Sequence, residues 1–130
     1  MKGTNVGDRG NVVFKYEDGN KIYFYSHWGG SGLKETVRKA LIRAKGEDGI
    51  VGSISGNNGR WGDESYLARI VFCQMLKEEG ANLEDLTGFG IAPYEVDNEH
   101  PLVTVDTKAQ TVNGIPFADY IKNPIPEDEE

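Results

Sequence analysis

Alternating polar and apolar residues near the start of the chain predict a β-hairpin. Residues 11–17 alternate, with Val12 and Phe14 on one face, and residues 21–27 are rich in aromatic and β-branched side chains. The intervening Asp-Gly-Asn at 18–20 supplies residues that tolerate positive φ in a tight turn. Two paired antiparallel strands are therefore expected here.

Apolar residues at helical spacing predict two helices in the middle of the chain. The first runs over residues 33–45, with Ser31 as its N-cap and Gly46 just beyond its end. The second begins after Asp63, a capping residue, and continues to about Glu79. Its apolar residues cover more than a narrow stripe, so we expect it to be the more deeply buried helix.

Short runs of β-forming residues predict three further strands after the second helix. They lie at residues 88–94, 102–106 and 111–113, and a final turn is expected at 115–121. The glycine-rich residues 46–62 predict a long loop, of the kind that is functional or mobile in compact domains. Because strands and helices occur in separate blocks, the expected fold is α+β, an antiparallel sheet of about five strands with two α-helices packed on one face.

Length and composition favour one globular domain. A chain of 130 residues with 38% hydrophobic and 27% charged residues has the size and balance of a single core. We assign this domain to residues 1–121. Residues 122–130, rich in proline and acids, are predicted to be a disordered tail.

The charge and apolar patterning narrow the expected location and partners. A net charge of −7 argues against a protein that coats nucleic acid, since such binding depends on basic side chains. The sequence has no apolar run of membrane-spanning length and no signal-peptide pattern at its start, so we expect no membrane association. The single cysteine, Cys73, excludes an internal disulfide. Together these features predict a cytoplasmic protein.

Two glycine-rich loops, each just before a predicted helix, are the strongest functional signal. Inward-pointing backbone N–H groups and the helix dipole favour anions at such positions. Arg60 and Arg69 can add bidentate contacts to a phosphate or carboxylate, while Trp28 and Trp61 can stack on a base or sugar. Neither loop matches the Walker or dinucleotide-binding pattern. The structural alternative is that the glycines form turns and the tryptophans cover the core.

Two further clusters combine charged residues with histidine. Residues 97–101 form a polar loop that, with His27, contains every histidine of the chain. General acid/base work, a metal site and a solvated turn are the alternatives there, and the spacing matches no established zinc or calcium pattern. Near the first strand, Arg9 either forms a structural ion pair with Asp8 or reaches the same pocket as Arg60.

Five separated motifs resemble a family of small uncharacterised phage, prophage and bacterial proteins. They are GDRGNV (7–12), YSHWGG (25–30), RWGDESYLAR (60–69), TGFGI (87–91) and DNEHP (97–101). The likeness covers about residues 7–106. The resemblance implies a phage or prophage accessory protein, and counter-defence by capture of a nucleotide signal would suit such a protein. It implies no catalytic residues, because none are assigned in that family.

The leading hypothesis is a non-enzymatic binding protein for a small anionic, nucleotide-like ligand. The alternatives are a protein–protein module that inhibits a host enzyme and a small hydrolase. The hydrolase would use His27, His100, Asp97 or Glu99. No cofactor, metal ligand or catalytic residue is assigned, and a homo-oligomer is left open. The expected ligand-binding residues are Arg9, His27, Trp28, Gly29, Gly30, Arg60, Trp61 and Arg69.

Overall fold

A computed structural model describes residues 7–46 and 59–128 of the chain. Most of the predicted glycine-rich loop at 46–62 lies outside the described residues. Within them, strands and helices occur in the order predicted from the sequence, with a short two-residue strand added near the end.

The strands form one mixed sheet of six strands in the order β3-β2-β1-β4-β5-β6. Their bounds are Gly10–Lys15 (β1), Lys21–Ser26 (β2), Phe89–Ala92 (β3), Val103–Asp106 (β4), Thr111–Val112 (β5) and Ile115–Pro116 (β6). The predicted hairpin is confirmed, since β1 and β2 pair antiparallel with Val12 opposite Phe24. The sheet is not purely antiparallel, because β4 lies parallel to β1 with Val12 opposite Val103. The chain reaches that position by crossing over from β3, on the far side of β2.

Three α-helices accompany the sheet in the described part of the chain: α1 (Leu33–Lys45), α2 (Glu64–Glu78) and the one-turn α3 (Phe117–Tyr120). Helix α1 ends as predicted at Gly46, whose φ of 90° is left-handed. Helix α2 begins as predicted at Asp63, whose carboxylate accepts the Tyr66 N–H at 3.3 Å. The prediction that Ser31 caps α1 was wrong. Gly32 is the N-cap, because the Ser31 hydroxyl donates to Asp8 instead, at 2.6 Å.

Both long helices pack on one face of the sheet, which confirms the predicted α+β class. The strand residues of the core all lie on this face, and the helices complete the same cluster with residues such as Leu41 and Leu67, each fully buried. The strand members are Val12, Phe14, Phe24, Val103, Val105 and Val112. No helix among the described residues is both long and apolar enough to cross a bilayer.

On the opposite face of the sheet, the crossover segment at 93–102 lies against the start of β1. Asn11, only 1% exposed, anchors this segment because its amide donates to the Val96 and Asp97 carbonyls at 3.2 and 2.9 Å. Next to it, the Arg9 guanidinium donates to the Glu99 carboxylate at 3.0 Å. The sequence motifs at 7–12 and 97–101 therefore contact each other and join the start of β1 to the crossover segment.

The last described residues lie against the start of α1. The Asp128 N–H donates to the Ser31 carbonyl at 2.9 Å, and its carboxylate accepts from Lys34 at 3.0 Å. The Ile125 N–H donates to the Glu35 carboxylate at 2.8 Å. Ile125 and Asp128 thus have specific hydrogen-bond partners, and the disordered tail at 122–130 stays a prediction.

Candidate functional site

A cavity of about 740 Å³ lies where the start of α1, the end of α2 and the start of β3 meet. Besides Asp8, which precedes β1, its walls come from four separate stretches of sequence. They are the turn after β2 with the first turns of α1, the end of α2 with the loop after it, the residues leading into β3, and the carboxyl-terminal segment. The fold thus brings together residues that are far apart in the chain.

The cavity is strongly acidic. Six carboxylates line it and one lysine, Lys39, which is already paired with Glu78 at 3.0 Å. The acids are Asp8, Glu35, Glu78, Glu79, Asp85 and Glu127. Carboxylates gathered around one concave surface focus a negative potential within it. The described residues that line the cavity therefore carry more negative than positive formal charge, although Glu35 is also paired, with Arg38 at 2.8 Å.

Glu79 is the acid with the least favourable surroundings for its charge. Burial raises the pKa of its carboxyl, while the Ser26 hydroxyl, 2.8 Å from both carboxylate oxygens, lowers it in part. Gly29 allows this close approach, because a Cβ there would overlap the Glu79 carboxylate. Among the described residues, no basic side chain forms a hydrogen bond or an ion pair with Glu79. A cation placed in the cavity would stabilise its ionised form.

Asp8 holds the inner wall of the cavity together. It is 5% exposed and accepts from the Ser31 N–H at 2.9 Å, from the Ser31 hydroxyl at 2.6 Å and from the His100 Nε2. The other ring nitrogen of His100, Nδ1, lies 3.4 Å from Asp128. Ser31, Asp8 and His100 do not form a nucleophilic triad, because the serine contacts the carboxylate rather than the imidazole.

Trp28 forms the outer wall. Its side chain is 53% exposed and packs edge-on against His27, with the ring centroids 4.9 Å apart. It also lies against Gly88, where φ is 92° and a Cβ would overlap the indole ring. His27 is held in turn by the Tyr25 hydroxyl, 2.7 Å from its Nδ1. An exposed indole beside a group of carboxylates is the arrangement that binds cations through both charge and the ring face.

Seven of the eight predicted site residues fall into two groups at opposite ends of α1. His27, Trp28, Gly29 and Gly30 lie at its amino-terminal end, beside the cavity, and Trp28 and Gly29 line it directly. Residues 59–62, the described part of the second glycine-rich loop, lie at the carboxyl-terminal end, where the Arg60 N–H donates to the Ala44 carbonyl at 2.8 Å. A helix of this length separates its ends by roughly 18 Å. Arg60, Trp61 and Arg69 therefore do not line the cavity at the other end.

Trp61 belongs to the core at that second end. It is 3% exposed, its indole N–H donates to the Leu41 carbonyl at 2.8 Å, and its ring packs edge-on against Phe117 at 5.4 Å. Nearby, Arg60 and Arg69 both stack on Tyr66, with guanidinium carbons 4.0 and 4.3 Å from the ring centroid.

Arg9 lies outside both groups. Its partners are Glu99 at 3.0 Å and Asp97 at 3.4 Å, rather than the neighbouring Asp8. The hydrogen bond from Arg9 lowers the pKa of the Glu99 carboxyl. The structural alternative for Arg9, an ion pair that clamps the start of the chain, is what this geometry supports, with a different acid as its partner.

Sequence reasoning missed most of the cavity's acids. Glu78 and Glu79 end α2, and Asp85 lies in the turn that leads to β3. The one available signal was the Glu-Glu-Gly at the end of the second helix, where acids oppose the helix dipole. That signal alone does not indicate which other elements meet there.

No protein-family model, curated protein or solved structure matches the chain significantly. The resemblance to phage, prophage and bacterial proteins therefore stays a prediction.

Proposed function

We propose that this protein is a binding protein whose acid-lined cavity holds a cationic group, an ammonium or guanidinium. The observation that supports this best is the cavity of about 740 Å³ with six carboxylates, one lysine and the half-exposed Trp28 on its wall. Binding without catalysis is favoured because neither histidine lines the cavity and His100 contacts carboxylates at both ring nitrogens.

Each part of the cavity has a role in this proposal. Glu79 supplies a half-buried carboxylate, for which a bound cation replaces the solvation that burial removes. Asp85, in the loop before β3, adds a second acceptor at the rim. Trp28 offers its ring face to the cation and to the apolar part of the ligand. Phe89, also on the wall, provides further apolar contact.

Agmatine and spermidine are suitable probes, because they carry guanidinium and ammonium groups on aliphatic chains. We expect both to raise the melting temperature of the protein, since a ligand that binds only the folded state stabilises it. AMP should give no stabilisation through this cavity. Isothermal titration of agmatine would then give the affinity.

The variant Glu79→Gln tests which residue carries the binding. It should weaken agmatine binding about ten- to hundredfold, because a charge-assisted contact contributes about 1.5 to 3 kcal/mol. Glu95→Gln is the matched control, since it removes the same charge from an exposed position on the crossover segment, across the sheet from the cavity. Equal affinities for the two variants, or stabilisation by AMP in preference to agmatine, would contradict the proposal.

A second candidate is the anionic, nucleotide-like ligand predicted from the sequence. It is supported by Arg60 and Arg69, which stack on Tyr66 at the far end of α1. In addition, the Arg60 Nε is buried without a hydrogen-bond partner among the described residues. Arg60→Ala should abolish AMP binding and leave agmatine binding unchanged if this site is real. A role in phage counter-defence would depend on this second candidate.

A further inference from the structure

Strand β3 is one edge of the sheet and carries outward-facing backbone groups. The His27 N–H donates to the Gly88 carbonyl at 2.8 Å, and the same register places Tyr25 opposite Gly90. In an antiparallel pair only alternate residues exchange hydrogen bonds. Gly90 and Ala92 therefore bond to β2, while the N–H and C=O of Ile91 and the C=O of Phe89 point away from the sheet.

This edge lacks the features that usually protect one. No described strand pairs with β3 on its outer side, and its four residues, Phe-Gly-Ile-Ala, include neither proline nor a charge. Ile91 is 55% exposed there. The opposite edge, β6, is only two residues long and ends in Pro116. An exposed, uncharged edge of this kind is suited to accept an added strand.

The chemistry of the added strand follows from what lies beside β3. Phe89 lines the acidic cavity, as do Thr87 and Asp85 just before it. Phe89 and Ile91 share the sheet face on which the helices pack, because they lie opposite Ser26 and Phe24. A segment running along β3 would thus direct every second side chain toward the acids. A second copy of this chain is disfavoured, because its net charge is −7.

We propose that β3 binds an extended, basic segment of a partner protein by strand addition, with a lysine or arginine of that segment in the acidic cavity. This inference rests on the proposed function, since it names the source of the cationic group. Main-chain hydrogen bonds to Ile91 fix the register, and the cavity selects the basic side chain. Trp28 covers the stem of that side chain.

A short acetylated peptide of alternating valine and arginine is the direct probe. Isothermal titration should show binding of this peptide and none of its valine and glutamate counterpart. Two further peptides carry N-methyl groups on alternate backbone nitrogens, one on the odd and one on the even positions. The pattern that removes the N–H donors to Ile91 should weaken binding at least about tenfold, because those hydrogen bonds are lost. Equal binding of all the N-methylated peptides would overturn strand addition.

Ile91→Pro removes the outward N–H from the protein side, while the N–H groups that bond to β2 stay in place. This variant should lower the affinity for the valine–arginine peptide at least about tenfold and leave the affinity for agmatine unchanged. Ile91→Thr is the matched control, because it keeps both the β-branched shape and the N–H, and it should bind the peptide within about threefold of wild type. Amide spectra of both variants verify that the fold is kept.

The outcomes separate this inference from the proposed function. Agmatine binding without peptide binding would overturn the docking of a basic strand and leave the cavity proposal intact. The protein could instead bind the peptide, lose that binding in Ile91→Pro, and fail to bind agmatine. That result would support docking of a basic strand and contradict a cavity that holds a free cation. Binding of neither probe would overturn both.

Discussion

The two tryptophans should respond to truncation in opposite ways. Trp61 is 3% exposed and Trp28 is 53% exposed, although the sequence assigns both to a ligand. Trp61→Ala should lower the free energy of unfolding by about 3 to 5 kcal/mol, the usual cost of truncating a buried aromatic residue. Trp28→Ala should lower it by less than about 1 kcal/mol and instead weaken agmatine binding.

The cost at Trp61 has separable parts. Its indole N–H bond to the Leu41 carbonyl contributes about 0.5 to 1.5 kcal/mol, and its edge-on contact with Phe117 contributes a similar amount beyond the area that the ring buries. Trp61→Phe keeps an aromatic ring and loses the hydrogen bond, so we expect about 1 to 2 kcal/mol for it. The rest of the loss in Trp61→Ala is the cavity left behind.

Urea unfolding followed by far-ultraviolet circular dichroism measures these differences without depending on tryptophan fluorescence. A loss below about 1 kcal/mol in Trp61→Ala would refute its assignment to the core. Weaker agmatine binding in that variant, at a temperature where it is fully folded, would show that the two ends of α1 are coupled.

Three further predictions concern the groups around the cavity and the core. Gly88→Ala should destabilise the protein by at least about 1 to 2 kcal/mol, because φ is 92° and the new methyl overlaps the Trp28 ring; urea unfolding measures it. Burial raises the pKa of Tyr120, whose hydroxyl donates to the Lys34 carbonyl. Stability should therefore fall as the pH rises above about 10. In a pH series of melting temperatures, Tyr120→Phe should abolish that part of the loss. Burial also raises the pKa of Glu79, so the stability that this group contributes is present at low pH and is lost as the pH rises through its folded pKa. The stability of wild type relative to Glu79→Gln should therefore fall as the pH rises above about 4, the ordinary pKa of a glutamate carboxyl.

Local signals in the sequence were sufficient to predict the elements. The hairpin, the bounds of α1 and the Asp63 cap all follow from turn residues and periodicity within a few residues of each element. The parallel pairing of β4 with β1 could not be predicted in this way. It depends on the crossover at 93–102, which is anchored by contacts such as that of Asn11 with Asp97, about ninety positions apart in the chain.

The candidate site was only partly predictable for the same reason. The turn with Trp28 and Gly29 was identified from its glycines, and it does line the cavity. The negative charge of the cavity depends on Glu79, Asp85 and Glu127. The fold brings these acids to the turn from three other stretches of the chain. A glycine-rich turn before a helix suggests an anion site in isolation. The acids that the rest of the fold brings to this turn are the basis on which we propose a cationic ligand instead.

The most direct test of the cationic cavity is a nuclear magnetic resonance titration that follows the two indole N–H signals. Trp28 lines the cavity and Trp61 lies at the other end of α1, so each signal reports on one end. We predict that agmatine shifts the Trp28 signal in a saturable way and leaves the Trp61 signal in place, while AMP does not move Trp28. A Trp28 signal that agmatine leaves unmoved at millimolar concentration, or that AMP shifts instead, would contradict the account.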